Sequence, residues 1–183
     1  DHGQIEWLGG TRDDAAGECF DKCARLLDLG FPGGPAIAKA ASEWNGTSKL
    51  NLPRPLSDEK GFDFSFSGLK TAVLREVGKW EKSEFAFEIQ EAITGVLVEK
   101  TIRAVQISGV NTLLIAGGVA ANSRLKEKFE LEIRNSKLEI NLHIPPVKLC
   151  TDNATMIAAA AFFCNFPLPW QEVTTNPSLT ITQ

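Results

Sequence analysis

The 183-residue chain is poor in the residues that usually hold structural metals. It has two histidines, His2 and His143, and none of its four cysteines forms a C-x-x-C pair, so the spacing of a structural zinc site is absent. The cysteines are Cys19, Cys23, Cys150 and Cys164. We expect them to be reduced thiols of a cytoplasmic-type compartment.

Two further absences concern membranes and nucleic acids. No apolar run reaches the roughly 20 residues of a membrane span, and residues 1–15 do not resemble a signal peptide. The formal net charge of −4 argues against a broad basic surface that wraps nucleic acid, although a local basic patch or a partner could supply such contacts. Hydrophobic residues at 43% and charged residues at 23% are typical of a soluble globular domain.

Hydrophobic periodicity predicts an α/β chain. Helices are predicted over residues 13–29, 67–80, 84–107, 123–135 and 154–163, and strands over 62–66, 110–116 and 139–144. The strand over 62–66 rests on the alternation of Phe62, Phe64 and Phe66 with polar residues, and Ser67 is predicted to cap the helix after it. This divides the chain into a largely helical segment at about 13–108 and a strand–helix core at about 109–165.

The stretch 114–122 (LIAGGVAAN) is the most informative part of the chain. An apolar run meets Gly117 and Gly118, and a helix opens near Asn122. Such a turn lets a ligand approach the backbone and leaves free N–H groups at the next helix N-terminus. By itself the pattern fits a ligand-binding turn and a plain strand–helix turn about equally.

An acidic face is predicted on the first helix, where Asp14, Glu18 and Asp21 are spaced at i, i+4 and i+7. One interpretation is a solvated stripe with Glu18–Lys22 and Asp21–Arg25 ion pairs, each contributing a few tenths of a kcal/mol. The other is a set of carboxylates that bind ligand hydroxyls or a metal. The local pattern alone favours the solvated stripe.

Two more turns carry candidate residues. Gly34 lies in a Gly-Pro-rich stretch where a ligand could approach the backbone, and Pro35 is predicted to begin the following helix. Near the C-terminal end, Thr151 or Asp152 is predicted to cap the Ala-rich helix. The local sequence explains Asp152 fully as a cap.

Five blocks of this chain, in order, resemble those of the TsaD family, the tRNA N6-adenosine threonylcarbamoyltransferases once called O-sialoglycoprotein endopeptidases. They are DDAAGECFDK (13–22), PGGP (32–35), DFSFSGLKTAV (63–73), GGVAAN (117–122) and CTDN (150–153). Each block alone is weak evidence, whereas the series is specific. The resemblance implies the actin-like, sugar-kinase-like ATPase (ASKHA) fold, with this chain as mostly the C-terminal half, one lobe with helical additions, and the N-terminal lobe absent from it.

The resemblance also implies roles for particular residues. Asp21 would accept hydrogen bonds from ribose hydroxyls, with Glu18 sharing the ribose, because a carboxylate is an acceptor-only partner. The backbone at Gly34 would lie against the nucleotide. Asn122 would contact the bound adenylate beside the Gly117-Gly118 turn.

The metal site implied by the resemblance holds one divalent ion of the iron, zinc or magnesium class. Asp152 would be one ligand, and two histidines of an H-x-x-x-H pair would come from the lobe that this chain lacks. Neither His2 nor His143 matches that pair. We therefore expect weak or no metal binding, and no activity, from the 183-residue chain alone.

The implied reaction is transfer of threonylcarbamoyl from threonylcarbamoyl-AMP to N6 of adenosine 37 in ANN-decoding tRNA. The implied partners are a TsaB-like paralogue and a TsaE-like ATPase in the bacterial cytoplasm, or a second copy in a mitochondrion, with no membrane. Alternatives are a sugar-kinase-like or carbamoyltransferase enzyme of the same fold, or a non-catalytic scaffold paralogue. The old endopeptidase name has no support, because neither H-E-x-x-H nor a nucleophile elbow occurs.

Overall fold

The computed structural model describes residues 5–163 and 167–175, so His2 and Cys164 lie outside the described residues. The described chain is α/β, with helices around a small parallel sheet. Its elements are α1 (Ala16–Leu26), α2 (Gly33–Ser42), α3 (Ser67–Glu76), α4 (Lys82–Ser108), β1 (Thr112–Leu114), α5 (Ser123–Asn135), β2 (Asn141–His143) and α6 (Ala154–Phe163). Short 3₁₀ turns lie at Gly118–Ala121, Val147–Leu149 and Trp170–Glu172.

Helix α4 is the longest element, with 27 residues, and it confirms the helix predicted over 84–107. Its C-cap is Gly109, whose φ of 64° is in the left-handed region that glycine adopts without steric cost. Its first half packs with α1 and α2, its second half packs with α5, and α3 packs on α1 within the first cluster. Leu97 and Val119 contact both hydrophobic clusters and so connect the two halves of the core.

Large aromatic side chains fill this core. Phe20 of α1, Phe66 and Phe85 are buried in the first cluster, and Phe129 of α5 is buried in the second. Burying a side chain of this size contributes about 1.5–3 kcal/mol. The apolar faces of α1, α2 and α5 are therefore held on α4.

The sheet consists of β1 and β2, which pair in parallel with Leu113 opposite Leu142. Both strands confirm predicted strands but are shorter than expected. The connection between them runs through α5, as a parallel pairing requires a crossover. Leu113 and Leu142 both pack on the second hydrophobic cluster.

The strand predicted over 62–66 is wrong. Phe64 forms only an isolated bridge with Thr11, in which Phe64 N donates to Gly10 O at 2.8 Å. The Asp63 carboxylate accepts from Gly10 N at 3.2 Å and from Arg12 Nε at 3.1 Å, so side-chain bonds replace a second strand. The alternation marks one buried phenylalanine, Phe66, rather than a ladder.

Ser67 does not cap α3, contrary to the prediction. The cap comes from Asp13, whose carboxylate accepts from the N–H groups of Phe66 at 2.7 Å and Ser67 at 3.2 Å, and from the hydroxyl of Ser65. Partial burial raises the pKa of Asp13, but these hydrogen bonds outweigh that effect and lower the pKa below its usual value. The same helix ends at Glu76 rather than near residue 80.

The predicted helix over 13–29 is confirmed at its centre, but α1 begins at Ala16. The Asp13 carboxylate accepts from the N–H groups at the start of α3, and the Asp14 carboxylate binds Lys22 Nζ at 2.6 Å. Both acids therefore precede the helix rather than forming its first turn.

Loop 57–63 is fastened to α4 by two cations. Lys100, which is 1% exposed, donates from Nζ to Asp63 O at 2.7 Å. Burial lowers the pKa of Lys100. Arg103 donates from Nη2 to Glu59 O at 2.7 Å and to Gly61 O at 2.6 Å.

Helix α6 is apolar on all sides, yet none of its described residues is buried. Phe162 is 79% exposed and Ile157 is also exposed. A helix that is hydrophobic all round is usually buried. Within the described residues, no helix is both long and apolar enough to cross a membrane.

Asp13→Ala should lower the free energy of unfolding by about 1–2 kcal/mol at neutral pH, because it removes the cap of α3. Since the folded-state pKa of Asp13 is lowered, its contribution is present above the unfolded pKa and is lost as pH falls through the folded pKa. Urea unfolding across pH 2–7 measures both effects. Asp58→Ala, in an exposed loop, is the matched control, and equal stability of the two variants would contradict the capping role.

Candidate functional site

Asp21 joins α1 to the N-terminus of α2. Its Oδ1 accepts from Gly33 N at 2.6 Å, and a Cβ on Gly33 would lie 2.4 Å from the Asp21 Cα, so only glycine fits there. Helix α2 begins at Gly33, and Pro35 is its third residue rather than its first, contrary to the prediction. A Cβ on Gly34 would meet nothing within 4 Å, so the backbone there is open to a ligand.

Glu18 lies one turn before Asp21 and is 52% exposed on its side chain. Its carboxylate pairs with Lys22 Nζ at 2.8 Å, which confirms the predicted Glu18–Lys22 pair. Hydrogen bonds with Asp14 and then Glu18 raise the pKa of Lys22. The predicted Asp21–Arg25 ion pair does not form, because the Asp21 carboxylate accepts from Gly33 N instead. The interpretation of these acids as a solvated stripe of ion pairs therefore fits Glu18 but not Asp21.

Gly117 and Gly118 follow β1, at the carboxyl end of a parallel strand where α/β folds place ligands. Gly117 has a φ of 90°, a conformation that side chains other than glycine rarely adopt. A Cβ at either glycine would meet nothing within 4 Å. A backbone hydrogen bond within the turn stabilises it, in which Ala120 N donates to Gly117 O at 3.0 Å.

Asn122 ends this turn and caps α5, as its position in the sequence indicates. Its Oδ1 accepts from Leu125 N at 3.1 Å, and its Nδ2 donates to Gln90 Oε1 at 3.0 Å. A helix leaves its first N–H groups without intrahelical partners, and an anion can bind there. The side chain of Asn122 accepts from only one of these groups, the N–H of Leu125.

The α1 residues and the glycine turn are brought together by one contact. A Cβ on Gly17 would lie 3.6 Å from Val119 Cγ2, so α1 passes close to the 3₁₀ turn. Val119 also packs on the core cluster that contains Phe20. The two groups of predicted nucleotide-binding residues therefore belong to adjoining elements, although they are about a hundred positions apart in sequence.

Asp152 is not the cap of α6, and neither is Thr151, contrary to the prediction. The cap is Asn153, whose Oδ1 accepts from Met156 N at 2.9 Å and whose Nδ2 donates to Thr151 O at 2.8 Å. Asp152 is exposed, and within residues 5–163 and 167–175 its side chain makes no hydrogen bond or ion pair. Its carboxylate is thus available to a cation.

The described residues supply no complete metal site. Among them, no group of three or more His, Cys, Asp or Glu side chains lies together. Asp152 fits one position in a ligand set, because an exposed carboxylate suits a divalent ion. Any further protein ligands would have to come from elsewhere.

Sequence analysis missed Gln90 and Glu91 on α4. The Glu91 carboxylate binds Arg124 Nε at 2.7 Å and Lys128 Nζ at 2.9 Å. Burial raises the pKa of Glu91, but the hydrogen bonds from both cations outweigh burial and lower it. The sequence gives no distinct signal for this pair, because α4 carries other polar residues such as Glu88 and Lys100, and only the fold shows that both residues face α5.

Comparison with known proteins gives one family. The model of the TsaD family, described as tRNA N6-adenosine threonylcarbamoyltransferase, matches residues 1–159. Relatives with that name include those of Thermosipho africanus (50% identical over 165 residues, 87% of this chain and 49% of the relative) and Persephonella marina (50% over 161 residues, 85% and 46%). The chain thus spans about half the length of these curated relatives, and it belongs to the TsaD family.

Proposed function

We propose that this chain is the C-terminal part of an acyltransferase that moves threonylcarbamoyl from threonylcarbamoyl-AMP to N6 of adenosine 37 in ANN-decoding tRNA. The names of its relatives support the reaction. The structural observation that supports the proposal is that α1, which carries Asp21, approaches the Gly117–Asn122 turn at Gly17 and Val119, so that the two elements form a junction. The adenylate would occupy this junction.

The carboxylate of Asp21 suits a ribose. Its Oδ1 is fixed by Gly33, and Oδ2 has no partner among the described residues, so it can accept from a hydroxyl. Glu18 lies one turn earlier and is exposed enough to share that sugar. The open backbone at Gly34 would lie against the nucleotide.

The glycine turn and α5 suit the phosphate end and the base of the adenylate. Gly117 and Gly118 carry no side chain that would block approach, and the N-terminus of α5 favours an anion. Asn122 stands where the turn meets this helix and would contact the adenylate. These positions match the roles that the family resemblance implies.

In the reaction, the N6 amine attacks the carbamoyl carbon, a C–N bond forms, and the bond from that carbon to the AMP oxygen breaks. AMP leaves with the electron pair, and the amine loses its proton. A bound divalent ion would supply Lewis-acid polarisation of the carbonyl, with Asp152 as one ligand. The residues of this chain contribute by holding the adenylate in position, and no general base is assigned to them.

The proposal extends to the whole protein. The fold would be the ASKHA type, with a second lobe that supplies two histidines to the metal and covers the apolar helix α6. Residues 13–108 and 109–165 would form the helical segment and the nucleotide-binding core. Its partners would be tRNA with TsaB-like and TsaE-like proteins in a bacterial cytoplasm, or a second copy in a mitochondrion.

Asp21→Asn should weaken AMP binding to the full-length protein by about 1.5–3 kcal/mol, the range for a hydrogen bond to a charged group. The amide oxygen of the Asn variant still accepts from Gly33 N, so the melting temperature should change little. Asp21→Ala should lower both the AMP affinity and the melting temperature. Isothermal calorimetry and thermal unfolding measure the two effects. Asp28→Asn is the control, because Asp28 has a φ of 53°, which asparagine tolerates. Unchanged affinity of the Asp21→Asn variant would contradict the ribose role.

Asp152→Asn should remove the metal and the transferase activity of the full-length protein without changing its melting temperature. Asn153 already caps α6, so the helix keeps its cap while the ligand charge is lost. Asn153→Ala should do the reverse, lowering stability by about 1 kcal/mol with the metal retained. Elemental analysis with thermal unfolding separates the two variants, and a full metal content in Asp152→Asn would refute the ligand role.

Phe162→Lys should hardly change the stability of the 183-residue chain but should cost about 3–5 kcal/mol in the full-length protein, where the second lobe would bury this side chain. Chemical unfolding of both proteins tests this. Leu74→Lys, at an exposed position of α3, should be nearly neutral in each. Equal effects of Phe162→Lys in the two proteins would show that the second lobe does not cover α6.

A further inference from the structure

The side-chain amide of Asn122 is held at both ends. Its oxygen accepts from Leu125 N at 3.1 Å, and its nitrogen donates to Gln90 Oε1 at 3.0 Å. Gln90 is 6% exposed, in the first third of α4, 32 positions earlier in the chain. A buried side chain therefore reaches from the core to the glycine turn.

The two hydrogen bonds together fix the position and the direction of the Asn122 amide. If the amide of Asn122 turned over, its nitrogen would face the N–H of Leu125, and its oxygen would face the oxygen of Gln90. A donor would then face a donor at Leu125, and an acceptor would face an acceptor at Gln90, which would leave buried polar groups without hydrogen bonds. The N–H of Leu125 thus sets which end of the amide caps α5, and Gln90 holds the other end in place.

Other contacts already hold α5 against α4. The Glu91 carboxylate binds Arg124 at 2.7 Å and Lys128 at 2.9 Å, and Phe129 is buried in the shared core. Attachment of the helix does not depend on Gln90. What Gln90 adds is an acceptor that holds the nitrogen of one amide at the end of the turn.

We propose that Gln90 is a positioning residue for the adenylate site: it aims the Asn122 amide so that its second N–H and its remaining oxygen lone pair face the ligand. The inference rests on the proposed function, in which Asn122 contacts the adenylate. Among the described residues, each of these two atoms makes a single hydrogen bond. Each therefore has capacity left for a ligand.

Gln90→Met tests this role in the full-length protein, with AMP as the probe. Methionine fills a similar volume but accepts no strong hydrogen bond, so AMP affinity should fall about tenfold. Gln90→Glu keeps an acceptor and should restore most of that affinity. Thr94→Val is the control, because the Thr94 hydroxyl bonds within α4, to Gln90 O at 2.6 Å, and its loss should lower stability without changing AMP affinity.

A double-mutant cycle and hydrogen exchange separate positioning from general damage. Asn122→Ser keeps a capping oxygen but has no amide nitrogen, so adding Gln90→Met to it should weaken AMP binding no further. Amide exchange at residues 117–125 should accelerate in Gln90→Met and stay unchanged in Thr94→Val.

The outcomes also separate this inference from the proposed function. No AMP binding by the wild-type protein would overturn the adenylate site and, with it, the role of Gln90. Wild-type binding with unchanged affinity of Gln90→Met, or additive effects in the cycle, would overturn the role of Gln90 alone.

Discussion

The Glu88 carboxylate on α4 accepts from Leu52 N at 3.1 Å and from Arg54 Nη1 at 2.6 Å, although Glu88 is buried. Polar side chains along the same helix bind other distant segments. Glu84 binds residues 48–49, and Gln90 and Glu91 bind the glycine turn and α5. Lys100 and Arg103 bind loop 57–63. A buried polar group is costly unless it is paired, so the segments bound by the buried Glu88, Gln90 and Lys100 each have one favourable position. The rest of the structure is arranged around α4 by this constraint.

This constraint explains which parts of the fold could be predicted. Helices α4 and α5 follow from local periodicity, and Asn122 is recognisable as a cap because its partner, Leu125, is three residues away. Asp13 was not recognisable as the cap of α3, since its partners lie more than fifty positions away. Local patterns record short-range bonds, whereas the bonds that join segments depend on the fold itself.

The candidate site was predictable to a similar extent. The Gly117-Gly118 pair after an apolar run predicted the glycine turn, and the structure gives Gly117 a φ of 90°, which favours glycine. The family blocks pointed to Asp21 and Asp152. The choice between cap and ligand at Asp152 could not be made from sequence, because Asn153 is an equally good capping residue one position later. The hydrogen bond from Met156 N to Asn153 Oδ1 excludes Asp152 as the cap, and its role as a metal ligand stays a prediction.

Asp21 and Asn122 share an arrangement that favours ligand binding. In each, one oxygen is held by a backbone N–H at a helix N-terminus, of Gly33 for α2 and of Leu125 for α5. A side chain fixed in this way loses less conformational entropy when it binds a ligand than a free one does. Helix capping and the proposed ligand binding therefore need not compete at these residues, because the bond that stabilises each helix also orients the side-chain atoms that remain free to bind a ligand.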